Sequence, residues 1–569
     1  MTLGPSGGTL QTRFHDRLER DPEGRALAFY KAGRPIEWIS FAEFYAEAAA
    51  VAGSLAKRGL KQGDVGMIVL PSGRHSATLL MGALLLGAKP LLIAPPALLG
   101  MNSDLPRVIA HALDLTKASL VVLPATADRD VFASMSLTDT TLAYADDDFT
   151  GGATDAPIAA DVAPGDVGAL QLTSGTTGLP KICVWTQEAI LAAIDGMAAA
   201  MELSPSDICF NWTPLYHDMG LVNNFLTCMS AGIPLVMMSP HDFIKRPSDW
   251  LRGLHETEAT VTWAPNFGFA LVTERTDPAV MADVRLDRVH GFWNAAERIH
   301  ARTYADFASA FAGVGVRPES LKTNFGCAEN IGGATFTPPG ETYRVEHIDR
   351  DRFLKELTAV VVPEDTEDAM AVVGAGKGHP GLEVAILDDV GARLPDGKVG
   401  AVALRTPSRL TEYLGNAEAT AQAIVGMWLL TGDQGYLRDG ELFWVGRTQE
   451  RITVRGKKID PSDFEPVLFD VPGLRQGCFA AFGIDDQVAG TESVVIVSEV
   501  RDLATTDLQA TADQVRRQVL TRLGIGLGDV VLVPPGSLTK TSSGKRRHRH
   551  FKQMYESGRL VTGQEASVS

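Results

Sequence analysis

Short apolar segments alternate with alanine-rich helical segments from the N-terminus to about residue 300. The pattern is clearest around Met67 to Pro96, where VGMIVLPS is followed by HSATLLMGALLLGA and then by PLLIAPP. Strands that alternate with helices in this way are typical of βαβ units, whose strands run parallel. The sequence therefore predicts an α/β fold with largely parallel sheets, in which Met67 to Pro96 forms a buried strand, helix and strand.

The pattern changes towards the C-terminus. At 569 residues the chain is too long for a single core of ordinary size, so we expect at least two domains. Leu437 to Gly446 contains Asp-Gly between alternating strands, which predicts a hairpin. Beyond it we expect strands at Gly477 to Gly483 and at Ser493 to Val500. We therefore predict a large domain over residues 1–446 and a small α+β domain over residues 447–569.

Composition limits the class of protein. A hydrophobic fraction of 45% with 21% charged residues is typical of a globular enzyme, and the net charge of -17 argues against nucleic acid as the main partner. Polar residues and prolines interrupt the apolar stretches, so we expect no membrane insertion. The N-terminus lacks the pattern of a secretory signal. Five scattered cysteines favour reduced thiols and a cytoplasmic location, without a disulfide framework or a zinc site: Cys183, Cys209, Cys228, Cys327 and Cys478.

A loop rich in glycine and hydroxyl side chains follows the apolar strand that ends at Leu172, and the loop ends in Lys181. Its members are Thr173, Ser174, Gly175, Thr176, Thr177 and Gly178. Glycines let backbone N–H groups converge on an anion, hydroxyls add donors and a lysine adds charge, so the loop is suited to phosphate. It lacks the GxxxxGK[ST] pattern of a Walker A loop. Taken alone, it could equally be a polar surface turn.

The order TSGTTG followed by PK resembles the phosphate loop of the acyl-adenylate-forming superfamily, and the other motifs of that superfamily follow in order. Phe325 to Glu329 (FGCAE) resembles the segment whose glutamate helps to hold the magnesium of ATP. Thr431 to Asp433 (TGD) and Arg447 resemble its ribose-binding residues. Leu538 to Lys545 (LTKTSSGK) resembles the final motif, which carries the catalytic lysine. The joint order is far more specific than any one of these motifs.

The resemblance implies a large adenylate-forming domain with a β-rich subdomain, a small mobile C-terminal domain, and ATP with Mg²⁺ as cofactors. Lys545 is then the catalytic lysine, and Thr176 and Glu329 are metal ligands. Nucleotide binding is assigned to Thr173, Ser174, Gly175, Thr176, Thr177, Gly178, Lys181, Asn294, Ala295, Ala296, Glu297, Phe325, Gly326, Asp433 and Arg447. The other interpretation of the run KRRHRHFK, from Lys545 to Lys552, is a solvated basic tail or a nucleic-acid patch.

Two segments resemble the fatty acyl-AMP ligase branch. One is PLYHDMGL around His217, which makes His217 a candidate catalytic residue, with Ala264 to Phe267 (APNF) downstream. The other is an insertion from about Pro338 to Val373, which in that branch is associated with restricted domain motion. The resemblance implies that a small carboxylic acid is adenylated and passed to an acyl or peptidyl carrier protein, with coenzyme A less favoured as the acceptor. A surface loop with no such role is the alternative interpretation of the insertion.

The segments expected to line the acyl pocket are rich in amides: Asn211, Asn223, Asn224, Trp293 and Asn294. Such a lining favours a shorter, polar or aromatic acid over a long alkyl chain. Gln187 and Gln449 depart from the residues common in the superfamily, which leaves the second half-reaction open. An acyl-CoA ligase, a catalytically idle nucleotide-binding relative, and a nucleic-acid-binding role of Lys545 to Lys552 are the alternatives.

Overall fold

The computed structural model describes residues 8–95, 105–133, 139–147, 149, 161–173, 179–367, 369–447, 450–454, 457–486, 491–541 and 545–560. The helices are α1 Leu10–Arg20, α2 Phe41–Lys57, α3 Arg74–Leu85, α4 Leu105–Thr116, α5 Arg129–Ala133, α6 Gln187–Ala200, α7 Thr227–Ala231, α8 Pro240–Lys245, α9 Ser248–Glu256, α10 Asn266–Arg275, α11 Ala301–Phe311, α12 Arg350–Glu356, α13 Ala417–Ala423, α14 Glu465–Phe469, α15 Leu508–Leu523 and α16 His548–Glu556. A π-helix spans Met219–Leu226, and 3₁₀ turns span Pro278–Met281, Ala312–Val314, Pro318–Ser320, Ala328–Asn330 and Pro461–Phe464.

The strands fall into the same order along the chain. They are β1 Arg25–Tyr30, β2 Trp38–Ser40, β3 Val65–Ile68, β4 Lys89–Leu92, β5 Leu120–Leu123, β6 Thr141–Tyr144, β7 Val167–Leu172, β8 Ile182–Thr186, β9 Cys209–Asn211, β10 Leu235–Met238, β11 Val261–Pro265, β12 Gly291–Ala295, β13 Leu321–Cys327, β14 Gly332–Phe336, β15 Val345–Asp349, β16 Ala369–Val373, β17 Lys377–Gly378, β18 Glu383–Leu387, β19 Gly400–Arg405, β20 Glu412–Tyr413, β21 Ile424–Val425, β22 Trp428–Arg438, β23 Glu441–Arg447, β24 Ile452–Val454, β25 Lys457–Ile459, β26 Leu474–Asp486, β27 Thr491–Val500 and β28 Leu527–Val533.

Two largely parallel sheets form the body of the large domain, as the alternating pattern predicts. One has the order β17-β14-β13-β12-β11-β9-β10-β1-β2 and the other the order β20-β8-β7-β4-β3-β5-β6. The segment around Met67 forms β3, α3 and β4, and the two strands pair in parallel. A Cβ on Gly82 of α3 would lie 2.9 Å from the carbonyl oxygen of Ala48, so this glycine allows α3 to pack closely on α2.

An antiparallel sheet forms the β-rich part that follows, in the order β18-β19-β22-β21 with β23 paired to β22. The predicted hairpin is confirmed, since β22 and β23 are antiparallel with Arg438 opposite Glu441. Asp439 and Gly440 between them both have positive φ, at 55° and 77°. Two such residues are what a tight type I′ turn requires.

The C-terminal strands β26, β27 and β28 form a separate sheet covered by α15 and α16. The two strands expected there are confirmed as parts of β26 and β27. The insertion contributes β15, α12 and β16, and its Phe353, Leu354 and Met370 pack in one hydrophobic cluster with Ile459 and Phe464 of the C-terminal region. The insertion therefore lies against the small domain. In the described part of the chain, every helix is too short or too polar to cross a membrane.

Candidate active site

A cavity of about 1180 Å³ opens where the two large-domain sheets, the β-rich sheet and the C-terminal region meet. A smaller cavity of about 110 Å³ adjoins it, and Ala296, Gly326, Arg447 and Lys545 line both. The cavity thus brings together residues that lie more than 300 positions apart in the sequence. The five cysteines are all buried and free.

The predicted phosphate loop connects two antiparallel strands at one side of the large cavity. Leu172 at the end of β7 pairs with Ile182 at the start of β8. The neck of the loop is closed by two hydrogen bonds: the N–H of Thr173 donates to the carbonyl of Lys181 at 2.8 Å, and the N–H of Lys181 donates to Thr173 Oγ1 at 3.1 Å. Thr173 and Lys181 both line the cavity. The rest of the predicted loop, Ser174 to Gly178 with Thr176, lies outside the described residues.

Glu329 lies in the 3₁₀ turn that follows β13, and it lines the same cavity. The hydroxyl of Tyr413 donates to Glu329 Oε1 at 2.6 Å, and the Nζ of Lys181 lies 3.7 Å from the centre of the Tyr413 ring. Tyr413 therefore links the proposed metal ligand to the phosphate loop. Burial raises the pKa of Tyr413, and the neighbouring Glu329 carboxylate raises it further, so the phenol stays protonated as a donor.

Asp433 and Arg447 face each other across the hairpin of β22 and β23. Arg447 Nε lies 3.4 Å from Asp433 Oδ1, and Asp433 is only 3% exposed. Burial raises the pKa of Asp433, although Arg447 opposes the rise. Arg447, whose pKa burial alone would lower, has a raised pKa because Asp433 lies beside it. The pair forms one wall of the smaller cavity, where both carboxylate oxygens and the guanidinium can bind hydroxyl groups.

Lys545 comes from the C-terminal region and reaches into both cavities. Its position is fixed at the backbone, because its N–H donates to Thr541 Oγ1 at 2.9 Å and its carbonyl accepts from the Thr541 N–H at 2.8 Å. Burial lowers the pKa of Lys545, and Arg447 lowers it further. Three carboxylates act against that lowering and place negative charge around the ammonium group: Asp218, Asp433 and Glu329.

His217 and Asp218 lie on the opposite wall, directly before the π-helix. His217 Nδ1 is 2.7 Å from Asp218 Oδ1, and the N–H of Met219 donates to that carboxylate at 2.9 Å. Burial alone would raise the pKa of Asp218, but His217 and then Lys545 lower it, so the carboxylate is charged. Asp218 is therefore a cavity carboxylate that interacts with Lys545 from the other side.

The remaining predicted nucleotide residues divide into two groups. Ala295 and Ala296 line the large cavity, whereas Glu297 and Phe325 line the small one. Gly326 lines both, and a Cβ there would lie 2.3 Å from the carbonyl oxygen of Gly332, so no larger residue fits.

Asn294 is completely buried behind this wall. Its Nδ2 donates to Asn266 Oδ1 at 3.3 Å, and Asn294 is absent from the described lining of both cavities. The assignment of Asn294 to nucleotide binding stays a prediction.

The C-terminal region is held against the large domain by buried charged groups. Arg298 donates to Asp463 at 2.6 Å and to Ser462 Oγ at 2.9 Å. His300 Nε2 lies 2.8 Å from Glu465 Oε2, and Arg546 contacts the other oxygen of that carboxylate. The basic run after Lys545 is therefore not a uniformly solvated tail, since Arg546 points into this interface.

Two expectations about individual polar residues change with the structure. Gln187 begins α6 and its Oε1 accepts from the N–H of Leu10, so it holds the first helix in place. Asn211 accepts from the N–H of Thr213, and Asn224 Nδ2 donates to the carbonyl of Met219, so both amides serve the local backbone. Gln449 lies outside the described residues.

Sequence reasoning missed Tyr413 and the charge relation between Asp218 and Lys545. Tyr413 lies 84 positions from Glu329 and reaches it because β20 pairs with β8, directly after the phosphate loop. A two-residue strand within a polar segment carries no recognisable pattern. Only the pairing of distant strands could have located it.

Comparisons with known proteins agree with this arrangement. The family model described as AMP-binding enzyme matches residues 14–414. The chain is 28% identical to the medium-chain fatty acid–acyl carrier protein ligase JamA of Moorena producens, over 97% of this chain and 95% of JamA. It is 31% identical to the long-chain fatty acid–AMP ligase FadD32 of Mycobacterium marinum, over 69% of each chain.

The fold is also similar to that of a solved structure. A chain from a study of fatty acyl-adenylate ligases from E. coli and L. pneumophila superposes with a TM-score of 0.88 at 25% identity, over 97% of this chain and 98% of the other. The predicted α/β architecture with a large domain and a C-terminal subdomain is thereby confirmed. The chain therefore belongs to the family of AMP-binding enzymes and is an ATP-using ligase that forms acyl adenylates.

Proposed function

We propose that this protein adenylates a carboxylic acid with Lys545 as the catalytic residue and passes the acyl group to the phosphopantetheine thiol of a carrier protein. The observation that carries the proposal is the placement of Lys545, a cation of the C-terminal region, in the cavity that Glu329, Asp433 and Asp218 line or border. A preorganised cation in a cavity stabilises charge that develops in a transition state.

In the first step, a carboxylate oxygen of the acid attacks the α-phosphorus of ATP. The bond between that phosphorus and the bridging oxygen breaks, and pyrophosphate leaves with the electron pair. Thr173 and Lys181 hold the phosphates, Asp433 and Arg447 hold the ribose, and Lys545 stabilises negative charge on the reacting oxygens. No protein nucleophile is needed, because positioning and electrostatics carry such transfers.

Glu329 is suited to hold the magnesium that accompanies ATP. Tyr413 occupies Oε1, which leaves Oε2 as a hard oxygen ligand at the cavity wall. Among the described residues no cluster of three metal-ligating side chains occurs. This fits magnesium bound mainly through phosphate oxygens and water, with one or two protein ligands. Thr176 is proposed as the second ligand from the sequence motif alone.

In the second step, the thiolate of the acceptor attacks the acyl carbon, and AMP leaves with the bridging oxygen. Two features favour a carrier protein over coenzyme A. The insertion shares a hydrophobic cluster with the C-terminal region, and Arg298 and His300 form buried ion pairs with the same region. Both contacts hold the C-terminal region against the large domain and oppose a large rotation. JamA, by its name, uses an acyl carrier protein.

The test is exchange of labelled pyrophosphate into ATP in the presence of a panel of acids. We expect Lys545→Ala to lower the exchange rate at least about a hundredfold, as the loss of a group acting on the developing charge does. Lys552→Ala is the matched control, because Lys552 belongs to the same basic run but pairs with Glu556 on α16 at 4.0 Å. An unchanged rate in Lys545→Ala would refute the catalytic assignment.

The acceptor is tested in parallel with coenzyme A and with a holo carrier protein. Thioester formation on the carrier protein alone would support the proposal. Faster turnover with coenzyme A would make the protein an acyl-CoA ligase. Nucleotide binding without exchange for any acid would make it a catalytically idle relative.

A further inference from the structure

The π-helix Met219–Leu226 borders the large cavity, and two of its residues, Met219 and Asn223, line it. The widened turn is held by side chains that bond five residues back: Asn224 Nδ2 to the carbonyl of Met219, and Thr227 Oγ1 to the carbonyl of Val222. Such turns are rare and occur mostly at functional sites. Asn223 lies about one helical turn, roughly 5 Å, beyond the segment of His217 and Asp218 that faces Lys545.

The orientation of the Asn223 amide is determined by its partner. The backbone N–H of Gly333 donates to Asn223 Oδ1 at 3.1 Å. A backbone N–H can only donate, so the oxygen of the amide must face Gly333. The Nδ2 group therefore faces away from Gly333, and it has no hydrogen-bond partner among the described residues while Asn223 lines the cavity.

The backbone around this amide leaves no room for another arrangement. Gly332 has φ +93°, and a Cβ there would lie 2.3 Å from Asn223 Oδ1. Gly333 is equally close to its neighbours, since a Cβ there would lie 2.5 Å from the ring of Phe336. The side chain of Asn223 is therefore seated on two glycines that both allow its approach.

Aromatic rings fill the space behind these glycines. Phe336 lies 5.4 Å from Trp293, and Trp293 stacks on Trp263 at 5.4 Å between ring centres. The three rings are at most 4% exposed. A long alkyl chain directed along this wall would have to displace close-packed aromatic side chains, which costs several kcal/mol (about 3 to 5 for truncating one such ring).

We infer that Asn223 is a specificity-determining residue whose Nδ2 donates a hydrogen bond to a carbonyl or hydroxyl oxygen on the acyl part of the substrate, and that the aromatic wall restricts this part to a short chain. The substrate class is thus a short oxygenated carboxylic acid. The inference rests on the proposed function and adds the substrate class to it. A buried donor left without a partner disfavours an acid that lacks the oxygen.

The test compares acids in the pyrophosphate-exchange assay. Valerate and its keto analogue laevulinate have the same chain length, as do butyrate and its hydroxy analogue, and dodecanoate represents long chains. We expect the wild type to favour the oxygenated member of a pair at least tenfold in kcat/KM over the plain member, and to exclude dodecanoate.

Asn223→Asp is the key variant, since the remaining oxygen can still accept from Gly333 while the donor is replaced by an acceptor. We expect this variant and Asn223→Ala to lose the preference for the oxygenated acid, with exchange in the plain acid retained. Thermal unfolding checks that both variants are folded, and Asn223→Gly tests the wall by admitting longer chains.

A wild-type preference for dodecanoate, or a preference for oxygenated acids that survives in both Asn223→Asp and Asn223→Ala, would overturn the inference and leave the proposed function standing. Absence of exchange with every acid in the presence of intact Lys545 would overturn both.

Discussion

His548, three residues after Lys545, should make the C-terminal region sensitive to mild acid. The residue is 7% exposed, and its Nδ1 accepts a hydrogen bond from the N–H of Ala481 in β26 at 3.0 Å. Burial lowers the pKa of His548 from 6.5 to about 3, and the adjacent Arg546 lowers it further than Glu465 raises it. The native structure thus holds a neutral imidazole, and protonation would remove its acceptor.

The sign and the size of the effect follow from the two pKa values. Because the native pKa is below the unfolded one, the contribution is complete above about pH 6.5 and declines as the pH falls from there towards 3. Each pH unit in that interval costs about 1.4 kcal/mol. At about pH 5.5 the free energy of unfolding of the C-terminal region is therefore expected to be about 1.4 kcal/mol lower than at neutral pH, which is a tenfold change in its opening equilibrium.

Amide hydrogen exchange is the suitable assay. All eight tryptophans precede Arg447, so tryptophan fluorescence would report on the large domain. We expect the protection of the Ala481 amide, corrected for the intrinsic rate, to fall about tenfold between about pH 7.5 and 5.5. His548→Asn supplies an acceptor oxygen that does not titrate, and it should flatten this dependence.

His15→Asn, at an exposed position on α1, is the control and should leave the dependence unchanged. An equal fall in protection in the wild type and in His548→Asn would refute the reasoning.

Two further predictions concern the cavity and the domain interface. Tyr413→Phe keeps the ring but removes the donor to Glu329, and we expect an approximately tenfold fall in the exchange rate with a higher magnesium requirement; an unchanged rate at every magnesium concentration would contradict this role. Arg298→Ala leaves the buried Asp463 unpaired, which typically costs about 3 to 5 kcal/mol, and we expect faster amide exchange over residues 461–464. Arg302→Ala, at an exposed ion pair, is the control and should have little effect.

Local chemistry accounts for what the sequence alone could predict. Alternating apolar segments predicted the parallel sheets, because burying both faces of a strand requires continuous apolar runs. Asp439 and Gly440 predicted the hairpin, because these residues accept positive φ. The motifs around Lys181, Glu329 and Lys545 predicted the membership of the cavity, since glycine, hydroxyl and charged groups in that order suit phosphate chemistry.

Contacts between distant segments decided the rest. Gln187 departed from the expected residue type, and only packing against Leu10 explained it. Tyr413 reached Glu329 through a strand pairing that its own sequence does not announce.

For the acyl side of the cavity, the sequence by itself determined that amides are present, and the tertiary structure decided what each amide does. Asn224 bonds within its own helix, whereas Asn223 is held by a backbone N–H that is 110 positions away. An amide can donate or accept in several directions, so its role depends on which fixed donor faces it, and the fold alone brings Gly333 to that place.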